Sequence, residues 1–141
     1  MSQKPHEPVV LYRGTTTPKA GSGETAGPGS GATVILYDAT ATNQSPGYNI
    51  RPCQFTRITG DIVSSHDSGA LGVIVEMSDD GTQWDAAVGF PSTYTAASGR
   101  LVLDILVTSP FLRIKYTNSA ASLTKWQVNI LGFLGDRAKG F

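Results

Sequence analysis

The chain has 141 residues, 16% of them charged, with a formal net charge of zero. That is one domain's length with ordinary apolar content, enough to bury a core, and charge is below the usual quarter or so. The balance excludes the lysine and arginine surplus of a duplex-DNA binder, and no apolar run reaches the ~20 residues of a membrane-spanning helix. Neither nucleic acid nor membrane is therefore an expected partner.

The first ten residues, MSQKPHEPVV, lack the basic-then-apolar layout of a secretory leader. A protein made and kept in a reducing compartment is expected. Residues 1–31 hold Pro5, Pro8, Pro18, Pro28 and the run GSGETAGPGSG. Such a composition predicts an extended, flexible arm and, from 32 to 141, a separate folded domain. One apolar island interrupts the arm, Val9-Val10-Leu11-Tyr12-Arg13. It reads either as a strand that adds to another chain's sheet edge or as an edge strand of its own domain. The glycines do not make a phosphate loop, because no Lys-Ser or Lys-Thr follows them and the chain runs on into Ala32-Thr33-Val34.

The rest predicts an all-β fold. TVILYD, 33–38, is a first strand, and residues 43–51 with Ser-Pro-Gly form a loop. The Asn43-Gln44-Ser45 sequon there is idle without secretion. CQFTRITGDIVS, 53–64, is a strand whose apolar positions change parity, which places a face-swapping bulge at Thr59-Gly60. Its Cys53 is the chain's single cysteine, so no internal disulfide forms, and the residue reads as a small buried hydrophobe.

Four later segments alternate with period two. Leu71, Val73, Val75 and Met77 share one face, as do Leu101, Leu103, Ile105 and Val107, then Leu112, Ile114 and Tyr116, then Trp126, Val128 and Ile130. One apolar face per strand, with turn signals every ten residues or so, predicts an antiparallel β-sandwich of jelly-roll type.

Candidate chemistry is sparse. Ser65-His66-Asp67 are adjacent, and three neighbours in a loop do not converge as a nucleophile, base and acid must. Two histidines and one cysteine far apart offer no zinc set. SDDGTQW, 78–84, lacks an EF-hand's ligand spacing, leaving only a loose calcium site on Asp79, Asp80 and Asp85. Asp80-Gly81 instead signals a hairpin, with Ser78 or Asp79 bonding the backbone two residues on. Trp84 then starts the return strand. Pointing inward it would close one end of the sandwich; left exposed it would mark a partner contact or a ligand platform. No enzyme activity, cofactor or metal is expected.

The pattern S-x-D-G-x-x-W (Ser78, Asp80, Gly81, Trp84), followed some 25 residues later by FLRIKYTN (Phe111 to Asn118), resembles β-sandwich domains of tailed-phage structural proteins. With the glycine-rich arm and neutral charge, the chain is similar to the capsid cement, or decoration, proteins of tailed bacteriophages. That resemblance implies a protein made in the bacterial host cytoplasm and placed on the capsid exterior of the virion, where it bridges neighbouring major capsid protein subunits. It also implies self-association, a homodimer being favoured over a trimer. The expected contacts are Val9, Val10, Leu11, Tyr12, Arg13, Trp84 and the C-terminal Phe141. The same motif is also similar to discoidin-type carbohydrate-binding modules, although the cysteine pair of those modules is missing. This alternative, a sugar-binding module of a virion or tail protein, requires exposed aromatics such as Trp84, Tyr94 or Tyr48.

Overall fold

The computed structural model describes residues 8–39 and 55–134. Eight strands lie among them: β1 (Val9–Gly14), β2 (Thr33–Asp38), β3 (Arg57–Ser64), β4 (Ser68–Ser78), β5 (Asp85–Ala86), β6 (Leu101–Leu106), β7 (Phe111–Asn118) and β8 (Trp126–Phe133). They form two four-stranded sheets, β1-β8-β3-β6 and β2-β7-β4-β5, with every adjacent pair antiparallel.

The pairings β1/β8, β2/β7, β3/β6 and β4/β5 are nested about one central hairpin. The chain is thus a long antiparallel ribbon rolled so that successive pairs fall in opposite sheets, which is the eight-stranded jelly roll. The turn between β4 and β5 is the tip of that ribbon, and it is formed by SDDGTQW.

The core follows the alternation. Val73 and Val75 of β4, Leu103 and Ile105 of β6, Leu112, Ile114 and Tyr116 of β7, and Trp126, Val128 and Ile130 of β8 are all buried between the sheets. Nineteen hydrophobic side chains are buried among the described residues, and the burial of each large one, contributing about 1.5–3 kcal/mol, is what opposes the ordering entropy of the strands.

Three local expectations are corrected. No bulge occurs at Thr59-Gly60: β3 keeps an unbroken register with both β6 and β8. The parity change lies earlier, where Phe55 and Ile58, three apart, are both buried. Thr56 between them gives its N–H to Phe133 of β8 and its carbonyl to Val107 N–H beyond β6, so the chain turns over just before the strand begins.

Leu71 does not join the inner face. The β4–β7 register shifts between Ser68 and Val73, and Leu71 has φ 53°, so its side chain is thrown outward and is 57% exposed. A bulge inserts an unpaired residue, and alternation cannot be counted across it. Finally, the return strand after Trp84 pairs only through Asp85 and Ala86.

Over its described residues, 8–31, the segment expected to be a loose arm is part of the domain. β1 is hydrogen-bonded to β8, and beyond it Thr25 N–H donates to Arg13 O at 2.9 Å and Thr15 N–H to Thr25 O at 3.0 Å. Gly31 N–H reaches Ser119 O at 2.7 Å, and the buried Asn118 side-chain amide donates to the carbonyls of Gly29 and Ala121. A segment poor in apolar residues is held here by backbone bonds to a strand that already has a core.

Candidate interaction surface

The ribbon tip is built by two side chains. Ser78 Oγ accepts from Gly81 N–H at 2.8 Å and from Asp80 N–H at 3.3 Å. Asp80 Oδ1 accepts from the backbone N–H groups of Gln83 and Thr82, both at 2.9 Å, and lies 3.0 Å from Ser78 Oγ. Those backbone donors hold the Asp80 carboxyl well below the usual carboxylate range. Gly81 supplies the left-handed φ of 81° that the turn requires. Of the two expected anchors Ser78 is the one that serves, and Asp80 is committed to the turn. Among the described residues no group of three acidic, histidine or cysteine side chains is gathered for a metal.

Trp84 does not close the sandwich. It is half-buried on the outer side of the β2-β7-β4-β5 sheet, where the Arg113 guanidinium lies 4.0 Å over its ring. Arg113 Nε also donates to Glu76 Oε1 at 2.7 Å, so β7, β4 and the hairpin tip are tied together on that face.

The residue that closes an end is Trp126. Its indole is buried, edge-on to Tyr116 with ring centroids 5.0 Å apart, and its Nε1–H donates to Tyr12 Oη at 3.3 Å. Gly14 and Gly27 lie directly on it. A Cβ at Gly14 would fall 2.3 Å from Trp126 Nε1, and one at Gly27 2.8 Å from Cγ. The first glycine-rich stretch thus covers a tryptophan. Burial pushes the Tyr116 phenol up to about 12 and raises that of Tyr12 as well.

Tyr94 is also buried. Its hydroxyl accepts from Ser64 N–H at 3.0 Å and directs its hydrogen at the carbonyls of Gly99 and Ser64. It therefore cannot serve as an exposed sugar platform. Ser65 Oγ does meet His66 Nδ1 at 2.9 Å, but Asp67 turns away to accept Ala96 N–H at 2.8 Å. Ser65 Oγ in turn takes the Thr124 N–H at 2.9 Å. The three side chains do not form a relay.

Among the other expected contact residues, Val9 and Leu11 are partly buried against the core, Tyr12 is buried, and Val10 and Arg13 face outward from β1. Phe141, Tyr48 and Cys53 lie outside the described residues.

Outward-facing apolar side chains collect on the β1-β8-β3-β6 sheet. Across the strands Val10 is opposite Leu131, which is opposite Thr59 and then Asp104; the next row runs Phe133, Arg57, Leu106. Leu106 is 70% and Val102 66% exposed, while Leu131 and Phe133 are half-buried. In their midst Arg57 makes a two-pronged bond to Asp104, Nε to Oδ1 at 2.8 Å and Nη2 to Oδ2 at 3.0 Å, which lowers the Asp104 carboxyl and raises the Arg57 guanidinium. Aliphatic side chains around a neutralised ion pair are suited to burial against protein. Sequence reasoning missed Val102 and Leu106. Their signal was present, since LVLDIL is apolar at five of its six positions, beyond what a strand with one wet face requires.

The architecture and surface together define a jelly-roll β-sandwich with an aliphatic outer sheet. No protein-family model matches the chain, and no curated protein sequence does either. Among solved structures, the crystal structure of the PBSX exported protein XepA is similar, with a TM-score of 0.56 and 9% sequence identity. The match covers 96% of this chain and 40% of XepA, so this chain spans well under half of that protein's length. At that identity the likeness establishes the shared fold.

Proposed function

We propose that the chain is a non-enzymatic structural protein of a tailed-phage virion that binds the outside of the capsid and cements neighbouring major capsid subunits. The observation that carries this reading is the aliphatic outer face of the β1-β8-β3-β6 sheet, in particular Val10, Leu131 and Phe133 around the internally neutralised Arg57–Asp104 pair. The resemblance of the Ser78–Trp84 and Phe111–Asn118 motifs to phage structural domains supports it, as does the jelly-roll fold. The polar groups weighed above for chemistry are spent on backbone: Asp80 on its turn, Asp67 on Ala96, Ser65 on Thr124. Each copy would bury a modest area, and several weak contacts on one shell would add by avidity.

The test is co-sedimentation of the purified protein with shells that lack it. Val10→Asp and Leu131→Asp place charges on the exposed face and should abolish capsid occupancy while leaving the thermal transition within a few degrees. Undiminished occupancy by the doubly substituted protein would sink the reading. The carbohydrate alternative now rests on Trp84, whose ring is partly accessible beneath Arg113. Sugar-dependent quenching of Trp84 fluorescence, lost in Trp84→Phe, would favour it.

A further inference from the structure

We infer that β6 is a self-association edge, and that two copies of the chain pair β6 to β6 in antiparallel fashion about a twofold axis at Leu103. An unpaired strand edge is a template for another strand unless it is blunted. Among the described residues the jelly roll has four such edges, and three are blunted. β1 is bulged between Val10 and Tyr12, β2 is bulged between Ile35 and Tyr37, and β5 is two residues long. β6 is six residues long, free of proline and lysine, and runs against β3 from Leu101 to Leu106 without a register shift.

The hydrogen-bonding parity fixes which groups face outward. Val107 N–H donates to Thr56 O, on the β3 side. Because N–H and C=O alternate in direction along a strand, Leu101, Leu103 and Ile105 also bond toward β3, and Val102, Asp104 and Leu106 present theirs to the free edge. An antiparallel partner centred on Leu103 sets Val102 opposite the second copy's Asp104, and Asp104 opposite its Val102, each pair exchanging two backbone bonds. Centring on Asp104 would instead put two carboxylates face to face, which cross-strand pairing disfavours. In the Leu103 register each Asp104 stays bonded to its own Arg57, so neither charge is stranded.

A groove of about 440 Å³ runs between β5 and β6 along the flank of the edge; Met77, Val88, Ile105 and Leu106 line it together with the carboxylates of Asp79 and Asp85, and Val88 is fully exposed. A second copy on the β6 edge would lie beside this groove. It would also join the two outer sheets into one eight-stranded face, doubling the aliphatic surface.

The experiment uses the full chain in solution with no shell present, so that its failure is separate from failure of capsid binding. Sedimentation velocity from about 1 µM to about 0.5 mM should show a monomer–dimer equilibrium, with Kd in the micromolar range. Hydrogen exchange should show concentration-dependent protection at the amides of Val102, Asp104 and Leu106 and unchanged exchange at Leu103 and Ile105. Val102→Asp faces the second copy's Asp104 and should weaken the dimer by tenfold or more. Val102→Lys at the same exposed site should retain it. A chain that stays monomeric throughout, or a dimer insensitive to the sign of the charge at 102, overturns the proposal. So does protection that falls on β1 or β2 instead. A dimer that then fails to sediment with capsids would count against the proposed function alone.

Discussion

Replacing Trp126 with alanine tests whether the glycine-rich segment before β2 belongs to the fold. The indole is 1% exposed, packs edge-on to Tyr116, donates to Tyr12, and is roofed by Gly14 and Gly27. Truncating a buried tryptophan costs about 3–5 kcal/mol. Two effects pull on that figure. The roof is a surface segment that can sink into the hole, which favours the lower end. The lost Tyr12 bond adds about 1 kcal/mol. An expected loss of about 4 kcal/mol is a large part of the roughly 5–15 kcal/mol a domain possesses. In urea unfolding the midpoint should fall by about 2 M at an m-value near 2 kcal/mol/M. Limited proteolysis at low protease concentration supplies the second readout. Wild-type protein should resist cleavage between residues 15 and 31, and Trp126→Ala should be cut there first. If wild-type protein is cut in that segment as fast as a free peptide, or if the midpoint moves by less than about 0.5 M, the packing of this segment on Trp126 is wrong.

Other outcomes follow from single contacts. Tyr94→Phe strands the buried Ser64 N–H and should cost about 1–3 kcal/mol, seen as a fall in thermal midpoint with an unchanged far-ultraviolet spectrum. Arg113→Ala frees Trp84 from its stacked cation and from the Glu76 tie; at this half-exposed site the cost should stay near 1 kcal/mol, with a clear change in tryptophan emission. Asp80 and Asp104 have depressed folded values, so their contribution is complete above the unfolded-chain value of about 3.9 and is lost as pH falls below it. The acid limb of a stability-versus-pH curve should therefore flatten in Asp80→Ala. Tyr116 is raised to about 12, so its contribution is complete below the unfolded value of about 10 and is lost as pH climbs between the two; Tyr116→Phe should remove that alkaline limb.

The sequence by itself determined the all-β class, the strands from Leu101 onward and which of their side chains are buried. Alternation of apolar residues is a local signal, and an antiparallel strand packed on one side preserves it residue by residue. It also determined the hairpin at Asp80-Gly81, because the turn is made by neighbours in the chain: Ser78, Asp80 and a glycine with positive φ. Where partners were distant in sequence, local reasoning failed. Leu71 read as core until the β4 bulge, set by pairing with β7, turned it outward. Trp84 and Trp126 were both aromatic starts of strands, and only the tertiary structure decided which closes the sandwich, since that depends on where Gly14, Gly27 and Tyr116 converge. The segment before β2 looked too polar to order, and by burial alone it is. Its described residues are held because the backbone finds Ser119 and the Asn118 side chain roughly ninety residues away. Val102 and Leu106 gained their meaning in the same way. On a lone strand they are surplus hydrophobes; on the straight β6 edge, unpaired among the described residues, they carry the proposed contact with a second copy.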